Sequence, residues 1–108
     1  MKKPTPVEYL RTISANSADA FQALRAAVVK SGPLDSHTVE LIVLGGLVTA
    51  GSERSFRTHA LRLLKDKVDP QALRQAVLVT LAASASFNQV VSALEWVDDV
   101  IREVEQAA

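Results

Sequence analysis

Four residues carry the chemistry this sequence offers: Glu40, Ser52, Ser55 and His59. Ser52, Ser55 and His59 stand at i, i+3 and i+7, a spacing that puts them on one face of a helix. Phe56 and Leu63 share that face, so it points inward, whereas Arg54, Arg57, Thr58 and Arg62 fall on the solvent side. A histidine on the inward stripe is buried or lines a cleft. Glu40 opens an apolar segment and shares a stripe with Val43, Leu44 and Leu47. Burying an unpaired carboxylate is very costly, so Glu40 needs a partner, and His59 is the natural candidate. Such a pair can move a proton near neutral pH, with burial and the carboxylate tuning the imidazole. The same residues also admit a structural reading: a His–Glu contact in a core, Ser52 as a helix N-cap, and Ser55 bonded to the backbone one turn back.

Other chemistries fit less well. Ser55 and His59 are one helical turn apart and no G-x-S-x-G elbow exists, so a Ser–His hydrolase is not supported. His37 and His59 are the only histidines, and His37 falls in an exposed first turn, so no metal is assigned. The absence of cysteine excludes disulfides, thiolate metal sites and thiol redox chemistry.

The elements that must position these residues read as helices throughout. An arm over residues 1–6, with Pro4 and Pro6, precedes a short helix from Val7 to about Ser14. A second helix is predicted from Ala18 to about Ser31, capped by Ser17, with Phe21, Leu24 and Val28 at helical spacing, and Gly32 and Pro33 stop it. The third runs from Asp35 or Ser36 to about Thr49. Its core, LIVLGGLV, is apolar on every side and must be covered all round. Gly45 and Gly46 each cost it about 1 kcal/mol relative to alanine, which close approach of another backbone would offset. Gly51 ends it, and Ser52 caps a fourth helix to about Asp66. Asp69 followed by Pro70 starts a fifth to about Ser84, burying Leu73, Ala76, Val77 and Leu81. After a break over residues 84–88, the last runs from Gln89 to about Glu105 with Val90, Leu94, Val97, Ile101 and Val104 as its stripe. No segment shows strand alternation.

The whole fits one domain, 1–108. Twelve basic residues balance twelve acidic ones, which gives no electrostatic case for nucleic acid and removes the self-repulsion that keeps proteins apart. The longest apolar run, Leu41 to Ala50, is too short to span a bilayer, and the start, MKKPTPVEYL, lacks the apolar stretch of a signal peptide. The expectation is a cytoplasmic protein with no membrane partner. The all-round apolar third helix, with Leu61, Trp96 and Val100 outside the main stripes, predicts self-association.

The arrangement E-x11-S-x-x-S-x-x-x-H, formed by Glu40, Ser52, Ser55 and His59, resembles the alkylhydroperoxidase D core, E-x11-C-x-x-C-x-x-x-H. The stretch from His37 to Val97, with its KVDPQAL helix start and apolar VLVTLAASASF segment, is similar to the carboxymuconolactone decarboxylase family, matching best over about 36–100. The resemblance implies an all-α fold of five to six helices around an antiparallel helical hairpin, assembled into rings, commonly trimers or hexamers. Both cysteines of the peroxidase branch are serines here, and a hydroxyl cannot cycle through sulfenic acid and disulfide. The decarboxylase branch lacks the cysteine pair and keeps the glutamate and histidine, and GSERSFRTH is more similar to it. That branch has a Gly-Phe-Pro turn late in the domain, where this chain has Ser86, Phe87 and Asn88.

What the resemblance implies for function is a cofactor-free lyase or isomerase acting on a small carboxylated or carbonyl substrate. His59 would be the general acid/base, Glu40 would orient it, and Ser52 or Ser55 would hydrogen-bond the substrate beside the N–H groups that open the fourth helix. The alternative is a non-catalytic oligomeric scaffold or small-molecule binder. A third, peroxidase-like activity, follows the family name only. An open cavity reaching His59 would separate the first from the second.

Overall fold

A computed structural model describes residues 3–81 and 83–107 of the chain. These form six α-helices and, among the described residues, no strand. The chain divides into two compact units, Met1–Ser36 and His37–Ala108.

The first unit holds α1 (Pro6–Ile13) and α2 (Ala15–Val29). Thr5 and Pro6, expected within the arm, start α1 instead; Met1 and Lys2 lie outside the described residues. Thr5 and Glu8 form a reciprocal capping box: the Glu8 N–H donates to Thr5 Oγ1 at 3.2 Å and the Thr5 N–H to Glu8 Oε1 at 2.7 Å. Pro6 at the first helical position gives up an N–H that has no helical partner there. Ser14 rather than Ser17 caps α2: its hydroxyl accepts from the Ser17 N–H at 3.3 Å and bonds the Ser17 hydroxyl at 2.7 Å. The helix therefore starts three residues earlier than predicted. Arg11 ties α1 to α2, donating to Asp19 at 2.6 Å and to Gln22 at 2.7 Å. Phe21, Leu24 and Val28 are exposed.

The second unit holds α3 (Ser36–Ala50), α4 (Glu53–Lys65), α5 (Pro70–Leu81) and α6 (Phe87–Ala107). The long α6 packs against both α4 and α5, and the core lies between these helices and α3. Leu44 and Val48 of α3, Phe56, Ala60, Leu63 and Leu64 of α4, Leu73 and Val77 of α5, and Val90, Ala93, Val97 and Val100 of α6 are its buried members. Fully burying a Val, Leu or Phe contributes about 1.5–3 kcal/mol, so this cluster holds the unit together. The acidic side of α6 meets cations across the helix interfaces: Asp99 accepts from Arg57 of α4 and Asp98 from Arg74 of α5, both at 2.9 Å.

Three sequence expectations shift here. Leu81 is exposed and Thr80 buried, because α5 ends at Leu81 and the Thr80 carbonyl takes the N–H groups of Ala83, Ser84 and Ala85. Ala82, within the longer helix expected, lies outside the described residues. The α6 helix begins at Phe87, two residues early, fixed by reciprocal bonds between Ser86 and Gln89. Val100 is buried, and Leu61 and Trp96 pack against the core, Trp96 edge-on to Phe56 with centroids 5.4 Å apart. The apolar side chains left uncovered in this unit are instead Ile42, Leu78, Val79, Leu81, Phe87 and Val91. Among the described residues no helix is long and apolar enough to cross a membrane.

Candidate functional site

A tight reversal between α3 and α4 sets the site. Gly51 takes a left-handed φ of +69°, which a side chain would resist. Its N–H donates to the Val48 carbonyl at 3.1 Å and the Ser52 N–H to the Leu47 carbonyl at 3.0 Å, the double bond pattern of a Schellman stop. Ser52 is then at once the N-cap of α4. At 1.5 Å rise per residue, Glu40 lies about 15 Å back from the end of α3 and His59 about 10 Å into α4. Two helices leaving one short turn thus bring these side chains face to face.

They meet: His59 Nδ1 and Glu40 Oε2 are 2.5 Å apart, with His59 7% and Glu40 9% exposed. With the carboxylate accepting, Nδ1 carries the proton and Nε2 the lone pair. Arg62 Nη1 reaches the same Glu40 oxygen at 3.5 Å. The sequence reading placed Arg62 in solvent, and its side chain is indeed half exposed. The signal was its position, three residues after His59 and so one turn along the same side. A guanidinium beside the carboxylate supplies countercharge, so the imidazole can be neutral or cationic without leaving the buried charge unbalanced.

Ser52 and Ser55 are half-buried at the start of the same helix. Ser52 occupies the N-cap position yet makes no side-chain capping bond, so the structural role proposed for its hydroxyl is not the one it performs. His37 stands apart, exposed, 3.4 Å from Asp66. No group of three or more potential metal ligands occurs among the described residues.

Away from the site, Arg57 bridges Glu53 and Asp99. Burial works against its charge, but the hydrogen bonds it donates to Asp99 and Glu53 outweigh this and raise its pKa. The hydrogen bond from Arg57 in turn holds the Asp99 carboxyl below its ordinary value.

The sequence matches the carboxymuconolactone decarboxylase family over residues 15–99. The chain belongs to that family. Its fold is accordingly the all-α, alkylhydroperoxidase D-like fold. No curated protein and no solved structure matches the chain.

One cavity of this carboxymuconolactone decarboxylase family member does not include the Glu–His pair. It is an open groove of about 480 Å³ between α3 and α5. A second, of about 280 Å³, lies between the end of α4, the start of α5 and the end of α6. Glu40, Ser52, Ser55 and His59 line neither.

Proposed function

We propose that the chain is a cofactor-free lyase or isomerase of the decarboxylase branch, in which His59 exchanges a proton with a small carboxylated or carbonyl substrate. The observation that carries this reading is the buried 2.5 Å contact between His59 Nδ1 and Glu40 Oε2. A carboxylate on Nδ1 fixes the tautomer and stabilises the imidazolium formed when Nε2 takes a proton. A positioned acid/base of this kind contributes roughly 10²–10⁴-fold to rate. Ser52, whose hydroxyl is not used for capping, and Ser55 lie at the start of the same helix, two turns and one turn before His59, and are suited to hydrogen-bonding a carboxylate or carbonyl oxygen. Cysteine-type peroxidase chemistry is absent from this reading because the chain has no sulfur at these positions. The pair is 7–9% exposed and lines neither described cavity, so the substrate cleft is completed by a neighbouring subunit of a homo-oligomer, a trimer or hexamer as in the resemblance.

A second reading has its own support. That neither cavity touches the pair favours a binding or scaffold protein whose Glu–His contact is structural. Assays of proton exchange on small carboxylated lactones separate the two: His59→Asn, which keeps an N–H donor toward Glu40, abolishes turnover in the first reading, and in the second there is no turnover to abolish.

A further inference from the structure

Arg62 is set against the buried Glu–His pair, yet it is a poor brace. Its Nη1 stands 3.5 Å from Glu40 Oε2, the same oxygen that His59 Nδ1 reaches at 2.5 Å. The arginine separation lies beyond the usual N–H···O range of about 2.7–3.2 Å, and the Arg62 side chain is 53% exposed. An ion pair so placed adds little to stability. Its effect on protons is larger, because the carboxylate is buried and charges held away from water feel one another more strongly. With Glu40 ionised and His59 neutral, the pair alone carries one negative charge, which draws a further proton onto the imidazole. With the guanidinium added, the three groups sum to zero before that proton binds and to one positive charge after it. Arg62 therefore opposes the protonation that Glu40 favours.

The charged groups of the neighbouring helices have other settings. On α3 the other titratable group is His37, 3.4 Å from Asp66 at the end of α4. On α4, Arg57 bonds Glu53 and, on α6, Asp99; Asp99 also accepts from Arg102, and Asp98 from Arg74 of α5. Arg54, Lys65 and Glu95 are exposed and Glu103 is half-buried. The contact with Glu40 is made by Arg62. We infer that Arg62 is a positioning residue that lowers the proton affinity of the Glu40–His59 pair, so that the imidazole stands as a base at neutral pH and not as a permanent imidazolium. An imidazole already protonated cannot take a proton from a substrate. The place of Arg62 in the reaction rests on the acid/base reading of His59 proposed above; its effect on the proton does not.

The test is an NMR titration of the imidazole nitrogens in a His37→Gln background, which leaves His59 as the only histidine. Arg62→Gln and Arg62→Lys are compared in that background. Position 62 is exposed, so both variants are expected to fold, with thermal melting by circular dichroism as the check. Arg62→Gln is expected to bind the proton roughly tenfold more tightly, and Arg62→Lys, which keeps the charge, to return most of the way. Added salt should shrink the difference, since a half-exposed guanidinium is screened. A merely structural contact would move the melting temperature and leave the titration alone. In turnover, the acidic limb of the kcat/KM profile is expected to move to higher pH by the same factor in Arg62→Gln. A titration that Arg62→Gln leaves unmoved or shifts to weaker proton binding, or that Arg62→Lys fails to restore, overturns the inference. A shifted titration in a protein without turnover supports it and removes the acid/base reading alone; turnover with an unshifted titration removes this inference alone.

Discussion

Glu40 is a carboxylate held away from water with an imidazole at 2.5 Å and a guanidinium at 3.5 Å. Removing one member of a buried pair leaves the other uncompensated, at about 3–5 kcal/mol, whereas replacing both with apolar groups is often neutral or better. Arg62 remains 3.5 Å from the carboxylate and compensates it in part, so His59→Leu is expected to cost up to about 3–5 kcal/mol. Glu40→Leu should cost less, about 1–3 kcal/mol, because the imidazole left behind can be neutral. The double variant should be more stable than His59→Leu. Urea unfolding midpoints test this, and a double variant as unstable as His59→Leu would mean the pair is there for the fold. Asp99 gives a pH signature. Its folded pKa is lowered by the Arg57 hydrogen bond, so its contribution is present above the ordinary carboxylate value of about 3.9 and is lost as pH falls through the lower folded value. Asp99→Asn should be less stable than wild type at pH 7, and the gap should narrow as pH falls below the ordinary carboxylate value; a gap independent of pH would refute the ion-pair account.

The helix boundaries around the site are legible in the sequence because each has a chemical marker. Gly51 can take the left-handed stop, Ser52 the cap position, and Asp69–Pro70 the start of α5, where the Asp69 carboxylate does accept the Gln71 N–H at 2.9 Å. The Glu40–His59 contact is legible for the same reason, since a carboxylate on an apolar stripe has few partners. Other features are not. Ser14 and Ser17 are equally good caps by type, and only the backbone decides between them. On α6 the periodic pattern puts Leu94, Ile101 and Val104 on the stripe, yet Ala93 and Val100 are the more deeply buried. Arg62 reads as a solvent-side residue by periodicity, and its long stem, starting one turn after His59, lets the guanidinium reach back to Glu40. The end of α4 is also unmarked: Lys67 takes a φ of +67° in a second Schellman stop, with its N–H to the Leu64 carbonyl and the Val68 N–H to the Leu63 carbonyl, both at 3.1 Å. The left-handed conformation costs a side-chain-bearing residue about 1–2 kcal/mol, while glycine adds about 0.4–1 kcal/mol of unfolded-state entropy. Lys67→Gly should thus stabilise by up to about 1 kcal/mol, raising Tm by roughly 4–8 °C; a fall in Tm would contradict the strain argument.

At the scale of the whole molecule, the proposed self-association would account for both the uncovered apolar side chains and the enclosed Glu–His pair: neighbouring copies would cover the former and complete a cleft around the latter. Leu61, Trp96 and Val100, expected to remain uncovered, pack within the chain, and the exposed apolar residues are instead Ile42, Val79 and Phe87 among others, the last 70% exposed. Light scattering at micromolar concentration is expected to give a discrete oligomer, and a folded monomer would remove the proposed cleft. The central claim is that His59, set by Glu40, transfers a proton to substrate in that assembly. The most direct measurement is solvent-deuterium incorporation and carbon dioxide release from carboxymuconolactone and a panel of small carboxylated lactones, comparing wild type with His59→Asn at matched oligomeric state. The account predicts turnover of at least one compound by wild type and a loss of about 10²–10⁴-fold in the variant. Equal rates in the two proteins, or no exchange with any member of the panel, would contradict it.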